Sequence, residues 1–196
     1  PALAQAPAPA AVPAPAPVPK GVIAETRAAI AEGDFAKGER IVLASLAAEG
    51  TTPEAIEALS WLGRGALAAK KYAEAQGYAS RTYGMVEEQL MTRQLDDEIH
   101  LPLALGASIE VQALVMAADN KRWEAVLFLK SELEKYKDTS IVMRTQKNIN
   151  LLSLEGEPAF EVASSETLGG PSPALASLKG KPVVLFLWAH WCPDCK

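Results

Sequence analysis

A mainly α fold of antiparallel helical hairpins, followed by the opening of an α/β unit, is what this sequence predicts, on three observations. From Gly21 to about Leu154 the chain is dominated by alanine, leucine, glutamate and lysine. It is interrupted there only by short turn signals, spaced so that seven helices fit between them. Beyond Leu154 the composition shifts, and Pro182–Trp188 forms an apolar run with neither helical nor alternating period.

Length and charge bound the rest. A chain of 196 residues with net charge −5 holds one or two domains and can bury a sizeable core. Lysine and arginine are scattered, so no basic face exists for nucleic acid or an anionic membrane. Two cysteines, three apart near the end, cannot staple a disulfide scaffold.

The chain opens on Pro1, and Ala2-Leu3-Ala4 before Gln5 has the small-x-small form that a signal peptidase cleaves. The expectation is an exported protein that has lost its leader; the other reading is simply more of an alanine-rich tract. Residues 1–20 hold seven of the fourteen prolines and one charge, Lys20. Such a composition populates extended polyproline II and makes a linker of about 3 Å per residue, or a disordered tail without a role.

For residues 21–154 the breaks fall at Gly33-Asp34, Gly50 to Pro53, Lys70-Lys71, Asn120-Lys121 and Asp138 to Ser140. Thr52-Pro53 has the form of a helix start, threonine at the N-cap and proline at the first helical position. Helices are expected near 21–32, 35–49, 53–69, 72–91, 102–119, 121–136 and 140–153. The segment from Leu101 to Ala118 is apolar but carries Pro102, Glu110 and Gln112, which predicts a buried helix of a soluble domain and no transmembrane segment in this chain. Short connections between such helices give antiparallel hairpins.

A local pattern recurs at the hairpin turns. Ala31-Glu32-Gly33-Asp34-Phe35-Ala36, Ala69-Lys70-Lys71-Tyr72-Ala73 and Asp119-Asn120-Lys121-Arg122-Trp123 each set an aromatic at the start of a second helix. With the Leu62-Gly63 pair, this resembles the tetratricopeptide repeat, whose stacked pairs make a concave face for an extended peptide or a protein partner. An ordinary helical bundle is the other reading. Phe35, Tyr72 and Trp123 are expected to be buried under both, with Lys70, Lys71, Lys121 and Arg122 as a solvated rim.

Glu155-Gly156-Glu157-Pro158 ends the helical part, and residues 155–196 form a second unit. The apolar run reads as a strand covered on both faces. It leads into Trp191-Cys192-Pro193-Asp194-Cys195, where a strand-to-helix turn would set the first sulfur over a helix N-terminus, an arrangement that lowers a thiol pKa. The stretch from Leu178-Lys179-Gly180-Lys181-Pro182 through Trp188-Ala189-His190-Trp191 to Lys196 resembles the opening of a thioredoxin-like domain of the TlpA/ResA type. That family's fold continues beyond the cysteine pair, and the likeness stops there.

The resemblance implies a thiol-disulfide oxidoreductase with a redox-active Cys192–Cys195 disulfide and no other cofactor. Cys192 would attack a substrate disulfide and Cys195 would release the product. Pro193 would fix the first helical turn, while the Asp194 carboxylate opposes thiolate formation. Trp188 and Trp191 would shield the pair. His190 is either an imidazolium that assists the thiolate or an exposed neighbour. The partners implied are a protein dithiol or disulfide substrate and an upstream thiol reductant, in the periplasm or another extracytoplasmic space.

Competing chemistries fail on counting. A structural zinc needs four ligands against the local His190, Cys192 and Cys195, and haem attachment needs a histidine where Lys196 stands. One strand and one helical turn cannot cover their own faces, so this length alone is expected to be inactive or weakly active, with residues after about 180 poorly ordered or stuck to the helical part. The alternative is a non-enzymatic helical-repeat interaction module ending in a functionless stub.

Overall fold

A computed structural model describes residues 20–159, 161, 166, 170, 173–186 and 188–191. The chain divides into two compact units, one ending at Leu152 and one beginning at Ser153. The linker expected over residues 1–20 lies outside the described residues apart from Lys20.

The first unit is helical throughout: α1 Val22–Ala31, α2 Phe35–Glu49, α3 Pro53–Ala68, α4 Tyr72–Leu90, α5 His100–Ala118, α6 Arg122–Lys135 and α7 Val142–Ser153. Every expected helix is present, with ends within two residues of those read from the sequence. Thr52 accepts the Ala55 amide at 3.2 Å with Pro53 at the first helical position. Asp34 caps α2 by accepting the Lys37 amide at 2.8 Å. The start of α5 differs, at His100 and not Pro102. The Glu98 carboxylate accepts the His100 and Leu101 amides, satisfying two of the first-turn donors.

Three of the connections are one turn built three times. Gly33, Lys70 and Asn120 close α1, α3 and α5 in the left-handed region, at φ 78, 59 and 60. Their amides donate to Ile30, Leu67 and Ala117, and the next amides reach back to Ala29, Ala66 and Met116. That double bond pattern is the Schellman motif, which reverses the chain within three residues. The pairs α1–α2, α3–α4 and α5–α6 therefore fold as antiparallel hairpins. Along the stack α1 packs on α3, α3 on α5, α2 on α3 and α4 on α5, so the odd-numbered helices form one row. Arg144 and Asn148 bond Glu110, which adds α7 beside α5.

The core centres on α5, where Leu101, Leu105 and Ile109 meet Ile56, Val86 and Leu129. By length and composition α5 is apolar enough to cross a membrane, yet it is packed against α3, α4 and α6. Removing these side chains from water contributes about 1.5–3 kcal/mol each.

The hairpin aromatics depart from expectation. Phe35 is half-buried against Gly65, whose missing side chain leaves room: a Cβ there would stand 3.1 Å from the ring. Val115 stands five residues before Asn120 as Gly65 stands five before Lys70, and it denies Tyr72 the same seat. Tyr72 stays 40% exposed beside a cavity of about 400 Å³ that it lines with Gln76, Val115 and Met116. Trp123, in the first turn of α6, is 67% exposed, because helical side chains lean toward the N-terminus and here project off the helix end. Nor is Arg122 a solvated rim residue, since its Nε donates to the Leu152 carbonyl at the end of α7.

A non-glycine residue in the left-handed region costs about 1 kcal/mol. Lys70→Gly is accordingly expected to raise the urea unfolding free energy by roughly that amount and Gly33→Ala to lower it by a similar amount. Shifts of the same sign for both substitutions would contradict the turn assignment.

Candidate functional site

The row of odd-numbered helices gathers polar side chains that are far apart in sequence. Glu57, Trp61 and Arg64 share one face of α3 at four- and three-residue spacing. The Trp61 indole N–H donates to Glu57 Oε1 at 3.1 Å, while Glu57 Oε2 lies 2.7 Å from His100 Nδ1 on α5. The Glu57 carboxylate is buried, and these two contacts engage both of its oxygens. Glu54 approaches the far side of the imidazole at 3.6 Å.

Two guanidinium groups lie over the indole that Glu57 holds in place. Arg27 of α1 sits 4.3 Å and Arg64 4.0 Å from the ring centroid, within cation–π range. Burial, followed by the like charge of Arg144 and with a contribution from Arg27, lowers the Arg64 pKa. Arg144 itself lies across Gly106, where a Cβ would stand 2.9 Å from its Cδ, and bonds Glu110 Oε2 at 2.9 Å. Burial pushes the Glu110 carboxyl up. The Arg144 charge and hydrogen bond, with Asn148, outweigh that and hold it below its ordinary value.

A second cluster ties the even-numbered helices. Lys135 donates to Glu87 at 2.7 Å and to Tyr83 at 3.0 Å, Tyr83 donates to Glu132 at 3.0 Å, and Tyr136 donates to Glu87. Burial raises Glu132, which carries one hydrogen bond where Glu110 carries an ion pair. This cluster joins α4 to α6.

In the second unit a 3-10 turn spans Leu175–Leu178, and the Lys181 amide donates to the Leu178 carbonyl across Gly180 at φ 84. The buried strand expected over Pro182–Trp188 is absent from the described residues of that run. Residues 182–186 and 188–189 are neither strand nor helix, with Val184 89% and Phe186 81% exposed. A strand persists only when neighbours pair its edges and cover its faces, and no second strand exists among the described residues. Trp188, His190 and Trp191 are exposed at the end of this segment. Of the residues expected at the cysteine pair, Trp188, His190 and Trp191 are described; Cys192, Pro193, Asp194 and Cys195 lie outside the described residues.

No motif in the sequence singles out Arg27, Glu57, Trp61, Arg64 or Arg144. The Glu57, Trp61, Arg64 spacing marks a helix face, but which helices stand beside that face depends on the hairpin stacking. No family model matches the sequence.

A carboxyl held below its ordinary value stabilises the fold fully above that value, near 4.5 for Glu110, and loses the contribution as pH falls through the folded pKa. Arg144→Ala should therefore destabilise at pH 7, and the gap to the unaltered protein should close as pH drops below about 4.5. Glu132→Gln carries the opposite sign, because its carboxyl is raised: it should stabilise at pH 7 and have no effect at acid pH. Thermal unfolding across pH 3 to 7 reads both, and parallel profiles for the two variants would contradict these assignments.

Proposed function

We propose that the chain is a thiol-disulfide oxidoreductase of the TlpA-like thioredoxin family whose helical unit serves as a partner platform. The observation that carries this reading is the succession Pro182–Trp188, Trp191, Cys192-Pro193-Asp194-Cys195 in one stretch. The turn at Leu175–Lys181, which delivers the chain into that run, supports it. So does the exposure of Trp188, His190 and Trp191, the residues that lead up to the cysteine pair in the sequence.

In the reducing direction the Cys192 thiolate attacks one sulfur of a substrate disulfide. The substrate S–S bond breaks, the first substrate thiolate leaves and takes a proton from solvent, and a mixed disulfide remains. The Cys195 thiolate then attacks the Cys192 sulfur, forms the Cys192–Cys195 disulfide and releases the second thiolate. Two electrons pass from the dithiol to the substrate, and an upstream thiol reductant restores the pair by the same exchange. Oxidation of a substrate dithiol is the reverse sequence. An extracytoplasmic location fits chemistry that needs disulfides to persist.

The finer reading of the helical unit is tetratricopeptide-like: three hairpins closed by one turn type and a seventh helix beside the third. The polar row on the odd-numbered helices favours a second reading, a non-enzymatic helical-repeat interaction module.

With the protein expressed from its complete coding sequence, Cys192→Ser should lower reduction of a protein disulfide by at least about a hundredfold. Cys195→Ser should accumulate the mixed disulfide, visible on non-reducing electrophoresis. Undiminished turnover in Cys192→Ser overturns the oxidoreductase reading and leaves the interaction module.

A further inference from the structure

Arg27 and Arg64 share a ring but not a counter-charge. Neither guanidinium forms an ion pair or hydrogen bond with the described residues, whereas Arg144 is paired with Glu110 and Lys135 with Glu87. Of the nearby acids, Glu57 is engaged by Trp61 and His100 and Glu110 by Arg144 and Asn148, while Glu54 faces His100 at 3.6 Å. Both guanidinium groups thus lie over one held indole with N–H groups that no described residue fills. Contact with the ring restricts each of them, so less freedom is lost when an oxyanion binds.

The surroundings select the kind of anion. Arg27 borders a depression of about 240 Å³ formed with Lys20, Gly21, Val22, Ile23 and Ala24 at the start of α1 and Glu54 on α3. An apolar wall beside the Arg27 guanidinium and the Lys20 ammonium suits a carboxylate followed by an apolar side chain, both from one strand of peptide. A bare inorganic anion would use none of that seat. Nucleic acid is disfavoured by the net charge of −5.

We propose that Arg27 and Arg64, stacked on Trp61, bind a carboxylate side chain of an acidic polypeptide segment laid across α1 and α3. This rests on the reading of the helical unit as a partner platform and says nothing of the cysteines. A bidentate guanidinium–carboxylate pair supplies the recognition, and the two arginines act together.

The test is calorimetric titration of the full chain with a capped eight-residue peptide of alternating glutamate and leucine. Its glutamine–leucine counterpart and inorganic phosphate are titrated in parallel. The glutamate peptide should bind, with affinity falling as salt is added, and the glutamine peptide should not. Arg27→Gln and Arg64→Gln should each weaken binding about tenfold and the double variant should abolish it. Lys130→Gln, an exposed charge removed elsewhere, should change nothing. Circular dichroism shows whether each variant keeps its helices; for a variant that does not, Arg27→Lys, which keeps the charge but loses the fork, is titrated and should also weaken binding. Equal binding by the double variant, equal binding of the glutamine peptide, or binding of phosphate alone would each overturn the proposal. Because binding and not disulfide turnover is read, this test can fail while the oxidoreductase reading stands, and the reverse.

Discussion

The helical unit depends on one backbone constraint, a left-handed residue that ends α1, α3 and α5. Gly33 takes that conformation freely, whereas Lys70 and Asn120 take it against a steric cost. What holds them there is the pair of amides reaching back into the last turn, with the packing of the next helix onto the last. Since all three turns share this geometry, the hairpins stack in the same sense and the odd-numbered helices line up. Residues from positions 27, 61, 100 and 144 come onto neighbouring elements only because of that repetition.

Electrostatics on this row are settled by burial more than by number of charges. Glu57 is nearly out of water, and leaving such a carboxylate without partners would cost several kcal/mol. An indole N–H and an imidazole nitrogen meet that requirement and lock α3 to α5 at the same time. Glu110 uses the guanidinium of Arg144 in the same way to fasten α7. The exposed pairs Lys37–Glu32 and Lys137–Glu134 are solvated and screened, and contribute little by comparison. Arg27 and Arg64 lie instead against the face of an indole.

Helix identity was legible in the sequence because local signals set it: Thr52-Pro53 starts α3, Asp34 starts α2, and glycine or a polar residue marks each reversal. Where a side chain rather than a position decided the outcome, sequence alone fell short. Glu98 begins α5 two residues early by capping from outside the helix. Tyr72 and Trp123 are apolar enough to suggest burial, yet Val115 fills the seat of one and the helix end directs the other outward. The apolar run after Lys181 read as a strand because its composition is that of one, but strand pairing is supplied by other segments and cannot be read from the run itself. The Trp61 cluster draws on α1, α3 and α5, so no local window contained it.

The position of Arg27 carries a consequence of its own. It lies on α1, in the hairpin at the open end of the stack, which packs on the remainder mainly through α3. In a linear array of this kind, local opening begins at such ends. The indole on α3 therefore acquires its second guanidinium only while the amino-terminal hairpin is docked, and a proteolytic nick in α1 would silence that surface without disturbing the central core.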